Sequence, residues 1–123
     1  MSSVAPKLTS QQQAKLAALA PFPNKFDQIH RLIEELASLR ADDSVVRRLT
    51  RILDELKASA GSVGEAAVAD SAGVMAVLAR RGGGLQMRVR GLREGFVSLK
   101  TNFEGAMKAA TTPEPTPEAE SKG

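Results

Sequence analysis

Side chains suited to covalent or metal chemistry are scarce in this 123-residue chain. There is no cysteine, which removes thiol nucleophiles, thiolate metal sites and disulfides. A single histidine, His30, removes any multi-histidine metal centre. His30 is followed by Arg31, Leu32 and Ile33. It falls about 110° from the apolar direction of its own helical pattern, a boundary position that suits a structural role. Glu34 and Glu35 are helix neighbours and do not face each other, so they make no acid–base dyad. Asp42 and Asp43 read as capping residues. The run Gly82-Gly83-Gly84 has no Lys-Ser or Lys-Thr after it and no strand before it, so it is not a phosphate loop. Around it gather Arg80, Arg81, Arg88, Arg90 and Arg93, a basic cluster that fits a solvated bundle end better than a nucleic-acid surface. No catalytic set emerges, and no cofactor or metal is expected.

One segment carries more. Residues 54–64 read Asp54-Glu55-Leu56-Lys57-Ala58-Ser59-Ala60-Gly61-Ser62-Val63-Gly64. This resembles the signature of histidine phosphotransfer domains: His, two residues, Lys, Gly, small residues, then an apolar residue and Gly. Lys57, Ser59, Ala60, Val63 and Gly64 occupy matching positions. The resemblance extends over residues 24–110, through a helix before the motif, a small-residue helix after it and a long last helix. It implies a four-helix bundle whose exposed imidazole exchanges a phosphoryl group with the aspartate of a receiver domain. Two positions depart from that pattern. Asp54 stands where the phosphorylatable histidine belongs, and Ala58 stands where a glycine clears space for the receiver. A carboxylate lacks the ring nitrogen that accepts the phosphoryl group. The resemblance therefore implies a degenerate member that binds a receiver domain or a histidine kinase without carrying phosphate.

The helical phase agrees with an exposed site. Leu49, Ile52, Leu53, Leu56 and Ala60 form one apolar stripe, and Asp54 lies about 150° away from it. Arg47, Arg51 and Ala58 share the side of Asp54, at i−7, i−3 and i+4. Arg51 is placed to pair with Asp54 or Glu55, at a few tenths of a kcal/mol each. Arg47, Arg51, Asp54, Lys57 and Ala58 make up the candidate partner-binding surface.

The elements that position this surface are all helices. A short first helix is expected from Thr9 or Ser10 to about Ala20, packing as an extra arm and stopped by Pro21-Phe22-Pro23. A second, over about 25–40, carries Phe26, Ile29, Ile33 and Leu36 on one face, widened by Leu32 and Leu39. The third runs from about Val45 to Gly61. A fourth, Ala-rich helix over about 65–80 is expected to turn Val74, Val77 and Leu78 inward. The fifth has the clearest pattern: Leu85, Val89, Leu92, Phe96, Leu99, Phe103 and Ala106 alternate spacings of four and three. The expected fold is an all-α, antiparallel four-helix bundle over 24–110. An arm over 1–23 precedes it, and an acidic, Pro-rich tail over 111–123 follows, read as disordered.

Composition supports that class. Hydrophobic residues make up 42% but aromatics only 3%, so the core is expected to be mainly aliphatic. Net charge is +3, spread too thinly for a polybasic stripe. No apolar run approaches the ~20 residues of a membrane span, and the first residues lack a signal-peptide pattern, so a cytoplasmic protein is expected. The leading expectation is a pseudo-phosphotransfer adaptor. The alternative is a helical scaffold that associates with itself or a partner through a bundle face.

Overall fold

The computed structural model describes residues 7–38, 43–81 and 84–113. Five helices account for most of them: α1 Ser10–Leu19, α2 Phe22–Ala37, α3 Asp43–Ser62, α4 Ala66–Arg80 and α5 Leu85–Thr111. The described residues contain no strand. Leu39, Asp42 and the first two glycines of the 82–84 run lie outside the described residues, as does the tail from Glu114 onward.

The last four helices form an up-down-up-down bundle, and contacts along each pair run in opposite directions. On α2 and α3, Lys25 pairs with Glu55 and Glu35 with Arg48. On α4 and α5, Asn102 donates to the Ser71 hydroxyl at 2.7 Å near one end, and Gly91 meets Leu78 near the other. On α2 and α5, Phe22 stacks on Phe103 at one end and Glu34 binds Arg93 at the other. The core is aliphatic over most of its length, with Ile29, Ile33, Leu36, Leu49, Leu53, Leu92 and Leu99 fully buried. All four phenylalanines of the chain collect where α2 meets α5. Ring centroids lie 5.1 Å apart for Phe26–Phe103 and 5.5 Å for Phe22–Phe103.

Helix α1 closes the open end of this bundle. Thr9 and Gln12 form a reciprocal capping box at its start. The amide nitrogen of Gln12 also donates to the carbonyls of Ala109 at 3.1 Å and Thr112 at 2.6 Å. These are carbonyls a helix C-terminus leaves without intrahelical partners. Leu19 is fully buried, and Lys15 bridges to Glu65 at 3.0 Å. The arm is thus seated on the bundle by a buried side chain, a buried amide and an ion pair.

Two expectations are corrected. The Pro21-Phe22-Pro23 stretch stops α1 and also opens α2, which begins at Phe22, one turn before the expected Lys25. Proline fits a first helical turn because the N–H it lacks would have no partner there. The second correction concerns the rotation of α4. Val74 and Val77 face outward, at 58% and 51% exposure, and Leu78 is only half-buried. Val68, Ala69, Ala72, Met75, Ala76 and Ala79 face inward instead. Small residues let α4 approach its neighbours closely. A Cβ on Gly95 would come within 2.8 Å of the Met75 Cγ, and one on Gly91 within 3.3 Å of a Leu78 methyl.

Candidate functional site

Helix α3 presents the motif residues on its solvent side because its apolar stripe fixes its rotation. Leu49, Ile52, Leu53, Leu56 and Ala60 are all buried as the spacing requires. Arg47, Arg51, Asp54 and Ala58 are exposed and line one shallow, open depression, together with Thr50 and Glu55. Thr50 is buried beneath it, and its hydroxyl donates to the Arg47 carbonyl at 3.0 Å. The four residues predicted to share a face do so.

Lys57 stands apart from them. It lines the neighbouring groove between α3 and α4. Its side chain lies along Gly73 of α4; a Cβ there would sit 3.5 Å from the Lys57 Cδ and Cε and 3.6 Å from Nζ. The missing side chain of Gly73 thus leaves room for the lysine stem.

The ion pairs differ from the expected intrahelical ones. Asp54 binds Arg80 at the end of α4, and Glu55 binds Lys25 of α2 at 3.5 Å. Among the described residues Arg47 and Arg51 make no ion pair. Both members of the Asp54–Arg80 pair are about half-exposed, at 49% and 53%, so the contact positions the carboxylate more than it stabilises the fold. Arg80 ties α4 to the motif helix, a role its place in the basic cluster did not reveal. The register of the α3–α4 hairpin would have exposed the pairing, because Lys57 meets Gly73 and Asp54 lies one turn earlier on α3.

Of the other four arginines in that cluster, two are matched by acids among the described residues. Arg93 forks onto Glu34 with contacts of 3.0 and 3.1 Å, and Arg90 pairs with Glu94 at 3.6 Å. Arg88 is half-buried, with its Nε lacking a hydrogen-bond partner. His30 is exposed on α2. No three of His, Asp and Glu gather as metal ligands among the described residues.

Gly64 has a role independent of any motif. Its φ of +76° ends α3, with the Gly64 N–H donating to the Gly61 carbonyl at 3.1 Å and the Glu65 N–H to the Ala60 carbonyl at 2.9 Å. These are the two bonds of a Schellman turn, which favours glycine at this position. Gly61, by contrast, stays inside the helix.

Chemically, the face offers a held carboxylate, two guanidinium groups without carboxylate partners among the described residues and a nearby ammonium. These groups supply hydrogen bonds and charge of both signs on one solvent-facing surface. Searched against protein-family models, curated proteins and solved structures, the chain matches none. No helix among the described residues is long and apolar enough to cross a membrane.

Proposed function

We propose that this chain is a phosphotransfer-like bundle that binds a receiver domain or a histidine kinase without carrying phosphate, as an adaptor or regulator of a two-component or chemosensory-type pathway. The observation that carries the reading is Asp54. It is exposed on the solvent face of α3, with Arg47, Arg51 and Ala58 beside it and Lys57 three residues on, and in the resemblance it takes the place of the phosphoryl-accepting imidazole. The up-down-up-down bundle with a long last helix adds support. Arg51 and Arg47 supply guanidinium groups suited to carboxylates on a partner. Asp54 puts a single negative charge where a phosphohistidine would carry more, so the face resembles a weak, permanent version of the loaded state.

The test is a binding and labelling assay against a panel of receivers and autophosphorylating kinases. The expected result is binding to at least one, weakened at least tenfold by Arg47→Glu with Arg51→Glu, and no stable label on this chain. Transfer of label to the chain overturns the non-carrier reading. Binding to no receiver and no kinase overturns the adaptor reading.

A further inference from the structure

Helix α4 is apolar on both sides. Its inner face is alanine, Val68 and Met75, and its larger valines, Val74 and Val77, point to solvent. Two β-branched apolar residues side by side on the solvent face are a contact surface left uncovered within this chain. Only four large apolar residues are exposed among those described, and two of them are this pair, one turn apart on one face. Asp70 and Arg81 flank them in the same groove. Neither makes an ion pair among the described residues.

The order of these residues has a symmetry. Asp70, Val74, Val77 and Arg81 are spaced four, three and four, so they form one stripe within about 60° of arc. The stripe is unchanged in spacing when read backwards, while its end charges are opposite. Asp70 and Arg81 are eleven positions apart, about 16 Å along the axis, too far for the two to pair within one chain. Antiparallel alignment of two such stripes brings each acid to the other's base and each Val74 to the other's Val77.

We propose that this face of α4 is a two-fold self-association surface whose occupant is α4 of a second copy of this chain. Asp70 of each copy meets Arg81 of the other, across a seam of Val74 and Val77. The contact is isologous, so it closes at a dimer. A single helix pair of this length, about 22 Å, buries less than the ~1,200 Å² of a stable specific interface, so the dimer is weak. Its dissociation constant is expected at about 10–500 µM, in the range of transient contacts. The inference does not rest on the phosphotransfer resemblance, because none of the four residues lies in the matched 54–64 segment.

The test is sedimentation equilibrium of the full chain from about 10 µM to 1 mM, with circular dichroism confirming that every variant keeps its helix content. The wild type should rise from 13.0 kDa towards twice that mass with concentration. Asp70→Arg and Arg81→Asp alone should each weaken association at least tenfold, because each sets like charges opposite one another twice. An equimolar mixture of the two variants should associate again, since their pairing puts arginines opposite aspartates at both ends. The double variant should also associate with itself. A wild type that stays monomeric to 1 mM overturns the proposal. So do single variants that dimerise like the wild type, or a mixture and a double variant that remain monomeric.

Discussion

The glycines of α5 turn the closeness of α4 into a measurable sequence of stabilities. Gly91, Gly95 and Gly105 all lie within the same helix, so replacing any of them with alanine brings the same backbone gain, about 0.8–1 kcal/mol. What each new methyl meets is different. At Gly105 nothing lies within 4 Å, so Gly105→Ala should stabilise by most of that amount. At Gly91 a Leu78 methyl sits 3.3 Å away and is the movable end of a half-buried side chain. Part of the gain should be lost there. At Gly95 the Met75 Cγ sits at 2.8 Å, and Met75 is completely buried, so the thioether has nowhere to retreat. Overpacking of this kind costs about 1–3 kcal/mol. Gly95→Ala should therefore be neutral to destabilising by about 2 kcal/mol, after the backbone gain of about 1 kcal/mol is set against that cost. Urea titrations followed by far-ultraviolet circular dichroism give the differences, provided the slopes agree. The expected order of stability is Gly105→Ala, Gly91→Ala, Gly95→Ala. If Gly95→Ala stabilises as much as Gly105→Ala, then α4 does not press against α5 as described, and the outward rotation of Val74 and Val77 loses its explanation.

Two further outcomes follow from the arm and from the motif. Gln12→Ala removes two donors to the α5 carbonyls and one half of the α1 capping box, and should cost about 1–3 kcal/mol. Amide exchange should accelerate in α1 and the last turn of α5 and stay unchanged in the middle of α3; equal acceleration everywhere would show that the arm is not a separate unit. Asp54→His combined with Ala58→Gly restores both departures from the phosphotransfer pattern. That variant should take acid-labile label from a phosphorylated receiver that the wild type binds, and a variant that binds but never labels would count against the kinship.

The apolar phases of α3 and α5 were legible because each helix has one stripe of large side chains and a polar remainder. Leu49, Leu53 and Leu56 sufficed to predict that Asp54 faces solvent. Helix α4 defeated the same reasoning. Hydrophobicity ranks valine above alanine, so Val74 and Val77 were assigned to the core. The inward face is mostly alanine, with Val68 and Met75 among them, and the alanines are what permit close approach. The 3-4-3 recurrence of Ala69, Ala72, Ala76 and Ala79, opposite glycines at 91 and 95, held that information. The partner of Asp54 was illegible for another reason. Within a helix Arg51 is the available cation, but Arg80 reaches the same carboxylate across a hairpin, and only the register of that hairpin reveals it. The opening of α2 is obscured in the sequence because proline both ends one helix and fits the first turn of the next.

The amide of Gln12 fastens the start of the described chain to its end, across sequence separations of 97 and 100 residues. The most extensive helix contacts, α3 with α4, α4 with α5 and α2 with α3, join neighbours in sequence, whereas those of α1 with α5 do not. Hairpins of that kind close early, whereas a long loop must pay its closure entropy before its contacts form. The Gln12 contact is then expected to act as a latch, forming after the helices it joins. It also makes the topology nearly circular. A chain linked from Pro113 to Lys7 and cut between α4 and α5 is expected to keep the same core, with the latch changed from a contact about a hundred residues apart to one of the most local.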